Sequence, residues 1–184
     1  MNKTLLTLLA GAAIATSITA SAQMKDPDVG GAPMYANKTV VANASTAPNL
    51  TTLVAAVKAG GLVDTLSGVG PFTVFAPTND AFDKLPAGTV DTLVKPENKA
   101  TLDKVLTYHV LAGTVTSKDL KKWIKKGNGT YTAKTLEGGS LNFSLDMGKI
   151  KITDEKGGTA WITTADVYQS NGVAHVIDTV LMPS

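Results

Sequence analysis

The 184-residue chain contains no cysteine and no arginine, and only two histidines. Without cysteine there is no disulfide, no thiolate metal ligand and no cysteine-linked lipid anchor, so the fold must hold together by core packing alone. Without arginine the bidentate grip on phosphate is missing, and 17 lysines against 15 carboxylates leave a net charge of only +2. Both features argue against a general nucleic-acid binder. Several catalytic signatures are also absent: no Gly-x-Ser-x-Gly elbow, no His-Glu-x-x-His, no phosphate-cradling Gly-x-x-x-x-Gly-Lys and no calcium loop with a closing glutamate. An acid–base enzyme would need one of the two histidines, His109 or His175, because no other side chain titrates near neutrality unaided.

What is present begins with an export signal. Residues 1–22, MNKTLLTLLAGAAIATSITASA, have a one-lysine start, an apolar run and a small-residue exit at Ala20-Ser21-Ala22. This is the layout of a secretory signal peptide cleaved before Gln23. Thr and Ser interrupt the apolar run too soon for a comfortable membrane span. The expected product is soluble, secreted or periplasmic, with no transmembrane anchor after cleavage. About 160 residues remain, one domain's worth. Residues 23–36 read as an extended lead-in and 37–184 as the domain, with no regular structure assigned before Pro48.

Helical spacing then takes over. Leu50, Leu53, Val54 and Val57 share a face, with Asn49 placed to cap the start and Gly60-Gly61 to end the helix. Short helices are expected around Leu62–Leu66 and Val90–Leu93, and Pro96 opens a longer one in which Leu102, Val105, Leu106 and His109 share the core side. Ser117 is expected to cap a further helix, whose Leu120, Trp123 and Ile124 point one way. From Thr130 the period falls to two, and short strands alternate with turn residues. Asn171-Gly172 supplies a hairpin signal into the last strand, VAHVIDTVLM. Helices early and strands late make the fold α+β.

Three segments carry most of the information. In TVFAPTNDAF, Thr73, Val74 and Phe75 read as a strand, Pro77 stops its ladder, and Thr78, Asn79 and Asp80 can cap the helix that follows. In the last strand, Val173, His175, Ile177 and Leu181 fall on one face and Ala174, Val176, Val180 and Met182 on the other, so the strand is central. His175 and Asp178, three apart, point to opposite faces and make no dyad; each is expected among hydrophobes as a hydrogen-bonded structural group. Asp154-Glu155 before Gly157-Gly158 reads as a hairpin turn rather than a metal site. No metal and no cofactor is expected.

The lysine cluster Lys118, Lys121, Lys122, Lys125 and Lys126 is the strongest local charge feature. It reads either as a docking face for acidic polysaccharide, anionic lipid or nucleic acid, or as a solvated face beside a core-anchoring Trp123, which is the favoured reading.

TVFAPTNDAF, the Tyr108-His109 pair before Val110, and NGVAHVIDTVLMP together resemble the signature segments of the fasciclin-domain family, in order and spacing, from about Tyr35 to Pro183. The resemblance implies a wedge-shaped β-sandwich with several packed α-helices, used in extracellular adhesion or matrix interactions and without catalysis. It implies that Thr73–Ala76 and Val173–Leu181 are neighbouring core strands and that His109 helps to fix the fold. It also implies interaction candidates at Asp166 and Val167, where animal members carry an integrin-linked Asp-Ile pair, and around Tyr108 and His109. The expected role is therefore a secreted interaction module for adhesion, surface attachment or biofilm matrix. Its partner is expected to be a cell-surface or matrix protein or polysaccharide, not nucleic acid. A carrier of a small apolar ligand and a histidine-dependent hydrolase are the alternatives.

Overall fold

The computed structural model describes residues 26–184, so the expected signal peptide lies outside the described residues. Among the described residues no helix is long and apolar enough to cross a membrane. The lead-in is more regular than its sequence suggests. β1 (Asp28–Val29) and β2 (Ala32–Pro33) form a small hairpin, and α1 (Val40–Ala44) follows, capped by Thr39. Val29, Met34 and Val40 are buried. Elements of two and five residues carry too few positions for any periodicity to appear.

The helical part comprises α2 (Thr51–Gly60), α3 (Val63–Ser67), α4 (Asn79–Asp83), α5 (Thr89–Leu93), α6 (Lys99–Tyr108) and α7 (Ser117–Lys126). The strands are β3 (Phe72–Pro77), β4 (Val110–Ala112), β5 (Thr130–Lys134), β6 (Ser140–Asp146), β7 (Lys149–Thr153), β8 (Thr159–Gln169) and β9 (Gly172–Ile177). Their hydrogen-bonded order is β4-β3-β9-β8-β7-β6-β5.

β9 is central, as its two apolar faces predict. It pairs in parallel with β3, Phe72 opposite Gly172 and Ile177 opposite Pro77, and antiparallel with β8. The approach is close at its start: a Cβ on Gly172 would lie 2.0 Å from the Phe72 carbonyl oxygen, so only glycine fits there. The eleven-residue β8 serves two partners. Its first residues pair with β7 and the remainder with β9, across two register shifts between Ile162 and Val167. Such bulges bend a strand and raise its twist. The far half of the sheet thereby folds back over the near half, bringing Phe75 of β3 to 5.5 Å, centroid to centroid, from Phe143 of β6. One apolar cluster lies between β3/β9 and the helices α2 and α6; the other lies inside the fold, with Leu120 and Ile124 of α7. The result is the α+β arrangement expected.

The strand-to-helix junction turns a corner and also joins distant segments. Thr78, extended at ψ 167°, accepts from the Ala81 N–H at 3.3 Å and so caps α4. Asn79 faces away from its own helix: its Oδ1 accepts from the Thr52 N–H at 3.0 Å and its amide donates to the Pro48 carbonyl at 3.0 Å. The opening of α2 is therefore held by Asn79 and not by Asn49, which makes no capping bond. Thr78→Ala should cost about 1 kcal/mol, the usual worth of an N-cap, read as a lowered urea midpoint with an unchanged slope.

Candidate functional site

The two histidines are the natural place to look for chemistry, and each is held by backbone groups. α6 tightens at its last turn, where the His109 N–H bonds to the Leu106 carbonyl, leaving the Val105 carbonyl without its usual helical donor. The His109 ring fills that gap: Nδ1 donates to the Val105 oxygen at 2.8 Å, and Nε2 accepts from the Leu181 N–H at 2.9 Å. The carbonyl fixes the tautomer, because a donor is required at Nδ1. The ring is buried, and burial pushes its pKa down to about 4.

His175 adopts the opposite tautomer. Nε2 donates to the Val115 carbonyl at 2.8 Å, while Nδ1 accepts from the Asp166 N–H at 3.2 Å. The ring is fully buried, stacked on Phe75 at 5.6 Å. Burial lowers its pKa, opposed by the Val115 hydrogen bond and the charge of Asp166. Both nitrogens of both rings are thus occupied by main-chain partners, which leaves neither ring a free lone pair with which to take a proton from a substrate.

These two groups set the acid limb of stability. A histidine whose folded pKa is depressed takes up its proton more readily in the unfolded chain, so stability is complete above 6.5 and declines as pH falls towards the folded value. For His109 the interval from 6.5 to about 4 corresponds to about 3 kcal/mol. His175 acts in the same direction. Denaturant unfolding followed from pH 7 to pH 4 should show this loss, and His109→Gln should flatten it.

The expected separation of His175 and Asp178 is found, but the environment expected for Asp178 is not. It lies just beyond β9 at the rim, its side chain 34% exposed. Its Oδ1 accepts from the Trp161 N–H at 2.8 Å, and Lys84 reaches its backbone oxygen at 2.6 Å. The strand ends at Ile177, one residue before the parity argument needs it to continue. Asp154 also serves the backbone: its carboxylate accepts from Lys156, Gly158 and Met182 N–H groups at 3.0, 2.7 and 3.0 Å.

The implied interaction candidates are corrected by their burial. Tyr108, His109 and Val167 are 0%, 3% and 1% exposed, so none offers a side chain to a partner. The Tyr108 hydroxyl donates to the Ser140 carbonyl at 2.7 Å and accepts from the Glu155 N–H at 3.1 Å, and burial raises its pKa to about 12. Asp166 sits in the bulged part of β8 with φ 59°. It accepts from the Ser117 N–H at 2.6 Å and the Ser117 hydroxyl at 2.5 Å, across the start of α7. Ser117 is consequently not the cap expected of it. Thr116 is, in a capping box with Asp119, whose pKa the Thr116 hydrogen bonds hold below the usual range. The Thr-x-x-Asp spacing at 116–119 was the available signal.

One structural residue exceeds its sequence role. Asn171 marks the hairpin turn, as its Asn-Gly pairing suggests, yet its side chain is buried. Oδ1 accepts from the Val40 N–H at 3.1 Å, and the amide donates to the Leu66 and Gly68 carbonyls at 2.7 and 3.2 Å. Two segments far apart in sequence, α1 and the end of α3, are thus tied to the hairpin turn.

Of the candidate residues, the five lysines of α7 are exposed. An open depression of about 590 Å3 runs along Ser117, Lys118, Lys121, Lys122 and Lys125. The enclosed apolar cavities between helices and sheet are small by contrast, about 30, 20 and 10 Å3, each near the size of one water and far below a ligand pocket.

Comparison with known proteins agrees with this geometry. A fasciclin-domain family model matches residues 48–183. Protein sll1483 of Synechocystis is 44% identical over 181 residues, covering 96% of this chain and 93% of that protein. Immunogenic protein MPB70 of Mycobacterium bovis is 39% identical over 149 residues, 78% of this chain and 68% of its own length. Cell surface glycolipoprotein MPB83 of the same species is 39% identical over 78% of this chain and 60% of itself. Among solved structures, the FAS1 domain pair of the insect cell adhesion molecule Fasciclin I superposes with a TM-score of 0.69 at 22% identity, over 79% of this chain and about half, 51%, of that one. By sequence match and by fold, the chain belongs to the fasciclin-domain family.

Proposed function

We propose that this protein is a secreted or periplasmic interaction module without turnover chemistry, serving cell adhesion, surface attachment or an extracellular or biofilm matrix. Its partner is a cell-surface or matrix protein or polysaccharide. The observation that carries this reading is the engagement of both imidazoles by the main chain: His109 and His175 brace helix ends, strands and the tail after β9. Kinship with a mycobacterial protein described as a cell-surface glycolipoprotein supports the extracellular setting. The small apolar cavities favour neither a carrier nor a hydrolytic pocket. A strain lacking the gene should attach less well to surfaces or form a thinner matrix, and complementation should restore it. Unchanged attachment on every surface tried would contradict the proposal.

A further inference from the structure

The lysines of α7 repel one another along their own helix, and only Lys125 and Lys126, in its last turn, favour the helix dipole. Lys118–Lys122, Lys121–Lys125 and Lys122–Lys126 stand four apart, and Lys118–Lys121 and Lys122–Lys125 three apart. Like charges at these spacings weaken a helix, and Lys118 also sits at the positive end of the helix dipole. The two carboxylates at the start of α7, Asp119 and Asp166, are engaged in hydrogen bonds there, though Asp119 also feels the charges of Lys122 and Lys118. Among the described residues none of the five lysines is in an ion pair. Packing does not require them either, since Leu120 and Ile124 make the buried face.

The charge is also local. Residues 26–184 hold fifteen lysines and fifteen carboxylates; five lysines and one carboxylate lie on α7, leaving the rest of the domain at −4 and this helix at +4. Lys118, Lys122 and Lys125 follow one side of the helix over roughly 10 Å, beside the open depression along Ser117 and Lys121.

Resting on the interaction reading above, we propose that this face of α7 docks an acidic polysaccharide, a linear chain bearing repeated carboxylate or sulfate groups. Each alternative polyanion lacks a contact it would use. A membrane surface takes an apolar side chain from an interfacial helix, whereas Trp123 packs on Tyr131 at 4.8 Å. Nucleic acid draws on arginine or on exposed aromatics for stacking, and the chain has no arginine. A protein interface centres on a buried aromatic or arginine anchor, and this face presents lysines alone. A polyelectrolyte sugar needs only a row of mobile ammonium groups matched to a row of anions.

The test is retention and titration of the purified protein on alginate (carboxylated) and dextran sulfate (sulfated), with neutral dextran, phosphatidylcholine–phosphatidylglycerol vesicles and duplex DNA as the other arms. At low salt and pH 7 one or both acidic sugars should bind, and neutral dextran should not. Replacing Lys118, Lys122 and Lys125 together by glutamine should weaken sugar binding by roughly tenfold or more, with an unchanged or higher Tm as the like-charge repulsion is relieved. Removing the same charge at Lys95, Lys149 and Lys156 should leave binding within about twofold. The inference is overturned if neither acidic sugar binds, if the two triple variants lose binding equally, or if vesicles or DNA bind as tightly as the sugars. A gene deletion that abolishes attachment while the protein ignores both sugars refutes this inference alone. Sugar binding without any attachment defect refutes the adhesion reading instead.

Discussion

His109→Ala should destabilise the protein by about 4 kcal/mol, the combined scale of a buried cavity and orphaned backbone groups. The ring is 3% exposed and joins two segments far apart in sequence, the end of α6 and the tail after β9. Removing it leaves the Leu181 N–H without an acceptor and the Val105 carbonyl without its donor, both in buried residues. Leu181 itself is fully buried, so the tail cannot solvate its amide without leaving the core. Equilibrium urea unfolding reads the effect. A loss below about 1 kcal/mol, the scale of a surface substitution, would show that the ring is no brace.

Asn171→Ala should cost about 3 kcal/mol, because two buried backbone partners and a third that is partly buried are stranded together. The side chain holds Val40 of α1, Leu66 of α3 and Gly68 in the loop that leads to β3. Asn171→Asp separates the contributions. It keeps an acceptor for the Val40 N–H but sets a carboxylate against the Leu66 and Gly68 carbonyls, so it should be no milder than alanine. Hydrogen exchange should show amides of α1 and α3 losing protection before those of β9. Uniform loss across the whole fold would mean that Asn171 anchors no separable segment.

These two residues also mark where the sequence stops being informative. The last strand was legible because its apolar residues occupy both parities, and β9 is indeed flanked on both sides. Thr78 was legible because a cap acts within three residues of itself. Asn79 and Asn171 were not, because their partners lie 27 to 131 residues away, and nothing in local pattern announces a long-range amide bond. Asp178 was misplaced because alternation predicts faces only while the strand lasts, and the ladder ends at Ile177. Asp166 fell in a bulge, where the alternation of faces is broken. The short elements before Pro48 were missed for want of length. The lysine cluster was visible at once; that none of its five lysines is in an ion pair among the described residues needed the folded arrangement.

Both imidazoles are internal and held by the main chain as neutral rings. Long-range 1H–15N NMR of the histidine rings between pH 5 and 8 tests this directly. It should show His109 protonated at Nδ1 and His175 at Nε2, neither titrating near 6.5, with slow exchange of both ring protons. A ring that titrates near 6.5 with rapidly exchanging protons would contradict it and return a histidine to the surface as a candidate acid or base.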